Sequence, residues 1–185
     1  GPRATPTFAA GRLFSFGANG LLNCLDAATG ERQWSRDVAA ETQAKTPQWG
    51  FSSSPLVIND LVVVLPAGPE GRTLAAYDAE TGAPSWTAGT GVISYSSPHR
   101  VELDGVLQVL SLTEAGLEGV DARTGDSLWS FPWELPEGIA RIVQPHAEGN
   151  RILIGTGSGY GAKLIQVEHA DSGWSATELW ESRDL

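Results

Sequence analysis

The sequence contains no methionine and a single cysteine, Cys24. One cysteine excludes an intrachain disulfide. Its place in the apolar run Leu21-Leu22-Asn23-Cys24-Leu25 predicts a buried, inert thiol rather than a nucleophile. Long hydrophobic runs are missing too. The longest, Leu61–Leu65, is of strand length, so no membrane insertion is expected. No secretory leader is visible. A chain that opens on Gly1 and lacks methionine is expected to be a processed product or a piece of something longer. Basic residues are scarce: 12 Lys and Arg stand against 22 Asp and Glu, a net charge of −10 and a pI of about 4.6. That balance argues against nucleic acid as a partner, because phosphate backbones are bound by clustered cations, and against an anionic membrane surface. No segment carries a sustained helical period.

Turn-forming residues are abundant, with 22 Gly and 11 Pro, which favours many short strands over long helices. One signature recurs. It reads Asp26-Ala27-Ala28-Thr29-Gly30 with Trp34, then Asp78-Ala79-Glu80-Thr81-Gly82 with Trp86, then Asp121-Ala122-Arg123-Thr124-Gly125 with Trp129. A degraded fourth copy is expected from Val167 to Gly173, ending at Trp180. Prolines run in phase with it at Pro6, Pro55, Pro98 and Pro145. The period is roughly 40 to 50 residues, the size of a propeller blade. Four short β segments fit within a unit, for example Ser53–Ile58, Leu61–Leu65, Thr73–Asp78 and Pro84–Ala88, with Asn59-Asp60 and Asp104-Gly105 as hairpin turns. The expected fold is therefore all-β, a β-propeller of four-stranded antiparallel blades. The blades are placed at approximately 4–38, 52–89, 95–133 and 141–183 of one module spanning 1–185.

The motif has a structural reading. The Asp carboxylate can accept hydrogen bonds from the amides of its own turn. Gly supplies the positive φ of the reversal. Trp lies in the outer strand, where its indole can pack on the next blade and bury a large apolar area. Asp26, Gly30, Trp34, Asp78, Gly82, Trp86, Asp121, Gly125 and Trp129 are accordingly expected to be scaffold, with no catalytic residue among them.

Asp-x-x-Thr-Gly-x-x-x-Trp resembles the tryptophan-docking motif of the pyrroloquinoline-quinone-like (quinoprotein-type) propeller repeat. The resemblance runs the length of the chain, and the WD40 and kelch signatures fit worse. It implies a ring of seven or eight blades, of which four would be half. The missing blades would come from a second copy of the chain or from a longer polypeptide, unless one chain closes on itself as four blades. The family includes alcohol and sugar dehydrogenases that bind pyrroloquinoline quinone with calcium. It also includes non-enzymatic propellers, such as the lipoprotein of the outer-membrane protein assembly machinery, and exported bacterial propellers without established chemistry. The resemblance implies a non-catalytic scaffold for protein or ligand binding, in the periplasm, the envelope or a secreted protein, with no cofactor. The alternative is a quinone- and calcium-dependent dehydrogenase or a fragment of one. The adjacent cysteines that face the quinone in such enzymes are absent here.

Four further features carry candidate chemistry. His99 and His146 each follow a phase-marking proline and are expected near the central channel, as channel-lining residues or weak metal candidates. Trp49, in the long polar loop from Asp37 to Gly50, and Trp133, in Pro132-Trp133-Glu134-Leu135-Pro136, fall outside the docking phase; ordinary inter-blade packing is the expected role, and stacking on a partner or sugar is the alternative. The stretch Gly155–Gly161 lacks the Gly-Lys-Ser/Thr of a phosphate loop and is expected to connect two strands of the fourth blade.

Overall fold

A computed structural model of the chain describes residues 3–156 and 159–184. Sixteen strands form four separate four-stranded sheets, each a simple antiparallel meander in chain order. The first blade holds β1 (Thr7–Ala9), β2 (Arg12–Phe16), β3 (Leu21–Asp26) and β4 (Arg32–Asp37). The second holds β5 (Leu56–Ile58), β6 (Leu61–Val64), β7 (Leu74–Asp78) and β8 (Pro84–Ala88). The third holds β9 (His99–Leu103), β10 (Val106–Thr113), β11 (Gly116–Asp121) and β12 (Ser127–Pro132). The fourth holds β13 (His146–Glu148), β14 (Arg151–Gly155), β15 (Ala162–Ala170) and β16 (Gly173–Ser182). The first strands of successive blades neighbour one another, β1 beside β5 and β5 beside β9, as the innermost strands of a propeller do.

The second and third blades are each sandwiched between two neighbours, so their middle strands must be apolar on both faces. β6 shows how the sequence meets that demand. Val62 and Val64 point to the first blade, into a cluster with Phe14, Phe16, Leu22 and Cys24. Val63 and Leu65 point the other way, to Val109, Val120 and Ala122 of the third blade. The period-2 geometry of a strand thus turns one valine run into parts of two cores. A third cluster joins blades three and four through Leu110, Leu112, Leu117, Ile152, Ile154 and Ile165. There is one apolar cluster per junction, and burying one such aliphatic side chain is worth about 1.5–3 kcal/mol.

The hairpin turns follow their sequences. Asn59 (φ 51°) and Asp104 (φ 47°) adopt left-handed backbone, and Gly105 (φ 73°) follows Asp104, the pattern of tight primed turns. The segment expected as a polar loop departs from expectation at its start, where Val38–Thr42 forms the short helix α1. Asp37 caps it by accepting from the Ala40 amide at 3.1 Å, and Gln43 ends it in left-handed conformation. Five residues are too few for a helical period to be legible. The Gly-rich stretch does connect β14 to β15; its Gly157 and Ser158 lie outside the described residues.

Candidate functional site

The repeated motif forms the joint between blades. Asp78 accepts from the amides of Thr81 at 2.7 Å and Glu80 at 3.2 Å and from the Thr81 hydroxyl. Asp26 does the same with Thr29 and Ala28. Donation from these turns holds both carboxyls below the usual carboxylate range, with Thr29 the main cause for Asp26 and Thr81 for Asp78. Trp34 then crosses to the second blade. A Cβ on Gly82 would lie 2.7 Å from its indole, and its Nε1 donates to the Ala79 carbonyl at 3.3 Å. Trp86 rests on Gly125 at a similar 2.8 Å, but its buried Nε1 has no hydrogen-bond partner. Each Gly has positive φ, so here it serves both the turn and the close approach.

Register explains how the Trp is aimed. In every blade the pairing of the third and fourth strands slips by one residue just before the Trp. Trp34 sits opposite Cys24, Trp86 opposite Ala76, Trp129 opposite Gly119 and Trp180 opposite Leu164. A β-bulge re-aims the side chain. Trp180 is thereby the fourth equivalent, although its blade lacks the Asp-Thr-Gly turn. There the register puts Gln166 where the other blades have Asp, and the hairpin runs on to Ala170 before turning. Spacing alone placed the degraded copy a few residues too late.

The third junction differs. Trp129 does not reach a Gly in the fourth blade. A Cβ at Gly173 would meet nothing within 4 Å. Instead its indole lies over Gly119 of its own blade and donates to Gln108 Oε1 at 2.8 Å. Trp133 is packed at this junction. It is only 3 % exposed, packed in the same cluster, with the buried Arg141 guanidinium 5.3 Å above its ring. Arg141 also donates to the Trp133 carbonyl at 2.7 Å, and burial lowers its pKa. Trp133 thus belongs chiefly to the packing.

His99 and His146 do come together. They open β9 and β13, the innermost strands of adjacent blades, with ring centroids 6.5 Å apart. Burial, and then the charge of His146, hold the His99 imidazole below its ordinary pKa. Among the described residues no group of three or more His, Cys, Asp or Glu side chains converges as a metal site.

Trp49 is open to solvent at 52 % exposure, its ring tilted 5.4 Å from Tyr95. It has company that motif reading missed. In a four-stranded antiparallel meander the fourth strand, on the opposite edge, finishes at the same end of the sheet at which the first begins, so the inter-blade loops emerge on one face. Val92, Ile93, Ile142 and Val143 are exposed in those loops, together with Trp49. The loops are tied laterally: Ser52 Oγ donates to the Tyr95 carbonyl, the Tyr95 amide to the Arg141 carbonyl, and the Ser54 amide to Ser97 Oγ. The only sequence signal for this rim is apolar residues standing just ahead of a phase proline. A cleft of about 530 Å³ between 131–136 and the fourth blade has its Lys163 already paired with Glu178 and Glu181.

Comparison with known proteins fits this architecture. The model of the family described as outer membrane protein assembly factor BamB matches residues 1–184. The chain belongs to this family. Its resemblance to BamB of Shewanella oneidensis is 27 % identity over 169 residues, 89 % of this chain and 41 % of that protein. The solved structure of BamB from Moraxella catarrhalis superposes with a TM-score of 0.67 at 19 % identity, covering 98 % of this chain and 50 % of that one. Quinohemoprotein alcohol dehydrogenase from Comamonas testosteroni gives 0.65 at 19 % identity, over 98 % of this chain and 35 % of that one. The four blades thus span half or less of these relatives, and at such identity the solved structures speak for the fold alone. The quinoprotein-type propeller expected from the motif is the fold observed. The side chains present fit poorly with pyrroloquinoline quinone and calcium. The ion takes about six to eight oxygen ligands, no group of converging carboxylates occurs among the described residues, and the one thiol, Cys24, is buried between blades one and two. Among the described residues no helix is long and apolar enough to cross a membrane.

Proposed function

We propose that this BamB-family chain is a non-catalytic propeller scaffold of a bacterial envelope that binds protein through the face carrying its inter-blade loops. The observation that carries the reading is the rim of exposed Trp49, Val92, Ile93, Ile142 and Val143 on that face. Apolar side chains gathered on one face of a soluble domain mark an interaction surface, and here three different loops contribute them. The motif residues, by contrast, are absorbed in holding blades together, and no cofactor is required of them. The relatives' name, outer membrane protein assembly factor, supplies the class of partner: proteins engaged in placing outer-membrane proteins. Further blades, from a longer polypeptide or a second copy, complete the ring.

The test is rescue. Bacteria deleted for their own assembly factor of this family, and expressing this chain in the periplasm, regain normal levels of outer-membrane barrel proteins. The double variant Ile93→Asp/Ile142→Asp accumulates equally but loses the rescue. Failure of the unmodified chain to rescue, or equal rescue by the variant, overturns the reading.

A further inference from the structure

The innermost strands of blades three and four gather two of the chain's three histidines. His99 and His146 open β9 and β13, so each follows directly on an inter-blade loop and stands at the loop-face end of its strand. They hold the same register position, opposite Leu110 in the third blade and Leu153 in the fourth. In the first two blades that position is filled by Thr7 and Leu56, opposite Phe14 and Val63. A nitrogen donor therefore occurs there in two adjacent blades, and adjacency brings the ring centroids to 6.5 Å with the planes 43° apart.

The two backbones are pinned to each other beside this pair. Gln144 Nε2 donates to the Pro98 carbonyl at 2.9 Å, and Ser96 Oγ to the Val143 carbonyl at 3.1 Å. Pro98 and Pro145, the residues just before the histidines, are buried, and their rings fix φ at the entry to each strand. The fold thus sets the spacing of the two side chains before any ligand arrives. Their nitrogens are also uncommitted. Among the described residues no protein group hydrogen-bonds either ring, whereas His169 is held by Asp104 at 2.8 Å and stacked on Trp174 at 4.3 Å. Solvent reaches both rings, His146 being exposed and His99 half-buried.

We propose that His99 and His146 together bind one divalent late first-row transition-metal ion (copper, nickel or zinc) between blades three and four. Imidazole nitrogen suits these ions. Calcium and magnesium, which take oxygen ligands, find no such set here. Metal–nitrogen bonds are about 2.0–2.1 Å long, so the rings close somewhat from their 6.5 Å separation. Rotation of the exposed His146 side chain between its staggered positions supplies that movement. The net charge of −10 raises the concentration of cations around the chain. No third His, Cys, Asp or Glu converges on the pair among the described residues, so water completes the coordination and the ion exchanges with solution.

Cu2+ is the probe, because it heads the affinity order of these ions and its electron paramagnetic resonance spectrum reports coordinated nitrogen. Titrated at neutral pH into the chelator-treated chain, it is expected to saturate at one equivalent with the signature of two imidazole nitrogens. His99→Gln and His146→Gln each lose both the saturation and that signature. His169→Gln, which removes the histidine already engaged by Asp104, keeps both. His146 is exposed, so its replacement leaves the fold intact and carries the test even where the half-buried His99 tolerates substitution less well. Loss of the signature in His169→Gln overturns the proposal. So does its survival in His146→Gln, or a spectrum of the unmodified chain without two imidazole nitrogens.

Discussion

Tryptophan shows how context divides one residue type into several jobs. Trp34 and Trp86 join blades by resting on a neighbour's glycine. Trp129 has the same register but folds back on its own blade, because Gly119 leaves room there and Gln108 accepts its N–H. The motif marks the positions of these first two. The third was unreadable because the deciding residues, Gly119 and Gln108, lie outside the motif. Trp133 was legible only as out of phase, since nothing local in the sequence says that Arg141 covers it. Gly119 lacks positive φ, so substitution there is a purely steric matter. Gly119→Ala is expected to cost about 1–3 kcal/mol, the usual penalty of overpacking, measured by urea unfolding. A neutral result would mean the indole is not held where the structure puts it.

Strands and blades were the best-read level. Period-2 patterning, hairpin dipeptides and the proline phase located the meanders, because each is a local consequence of backbone geometry. The fourth blade was read less well. Its turn has lost Asp, Thr and Gly and its hairpin is longer, so only the bulge before Trp180 reveals the equivalence, and a bulge is a property of pairing. The inner strands bring His99 beside His146; the shared Pro-His context pointed only to a place near the channel for both. Burial, then the second imidazole, depress the pKa of His99. The unfolded chain therefore binds the proton more readily than the fold does. The resulting stability is complete above the ordinary histidine pKa of about 6.5 and is lost as pH falls below it, until His99 protonates in the folded state as well. In His99→Gln the melting temperature is expected to drop less between pH 7 and pH 5 than in the unmodified chain. Parallel curves would show that the pair carries no proton linkage.

At the scale of the molecule, blades add in one direction and each junction repeats the last with small changes, as in other repeat architectures. The stacking of the first three blades depends on one claim: that Trp34 with Gly82, and Trp86 with Gly125, each form a single mechanical joint. A double-mutant cycle on Trp34 and Gly82 tests it most directly, by urea unfolding of Trp34→Ala, Gly82→Ala and the pair. Gly82→Ala alone introduces backbone strain and a methyl 2.7 Å from the indole. With Trp34 removed only the strain, about 1 kcal/mol, is left. The joint predicts that the two substitutions together cost less than their sum by at least about 1 kcal/mol. Costs that simply add would contradict the joint.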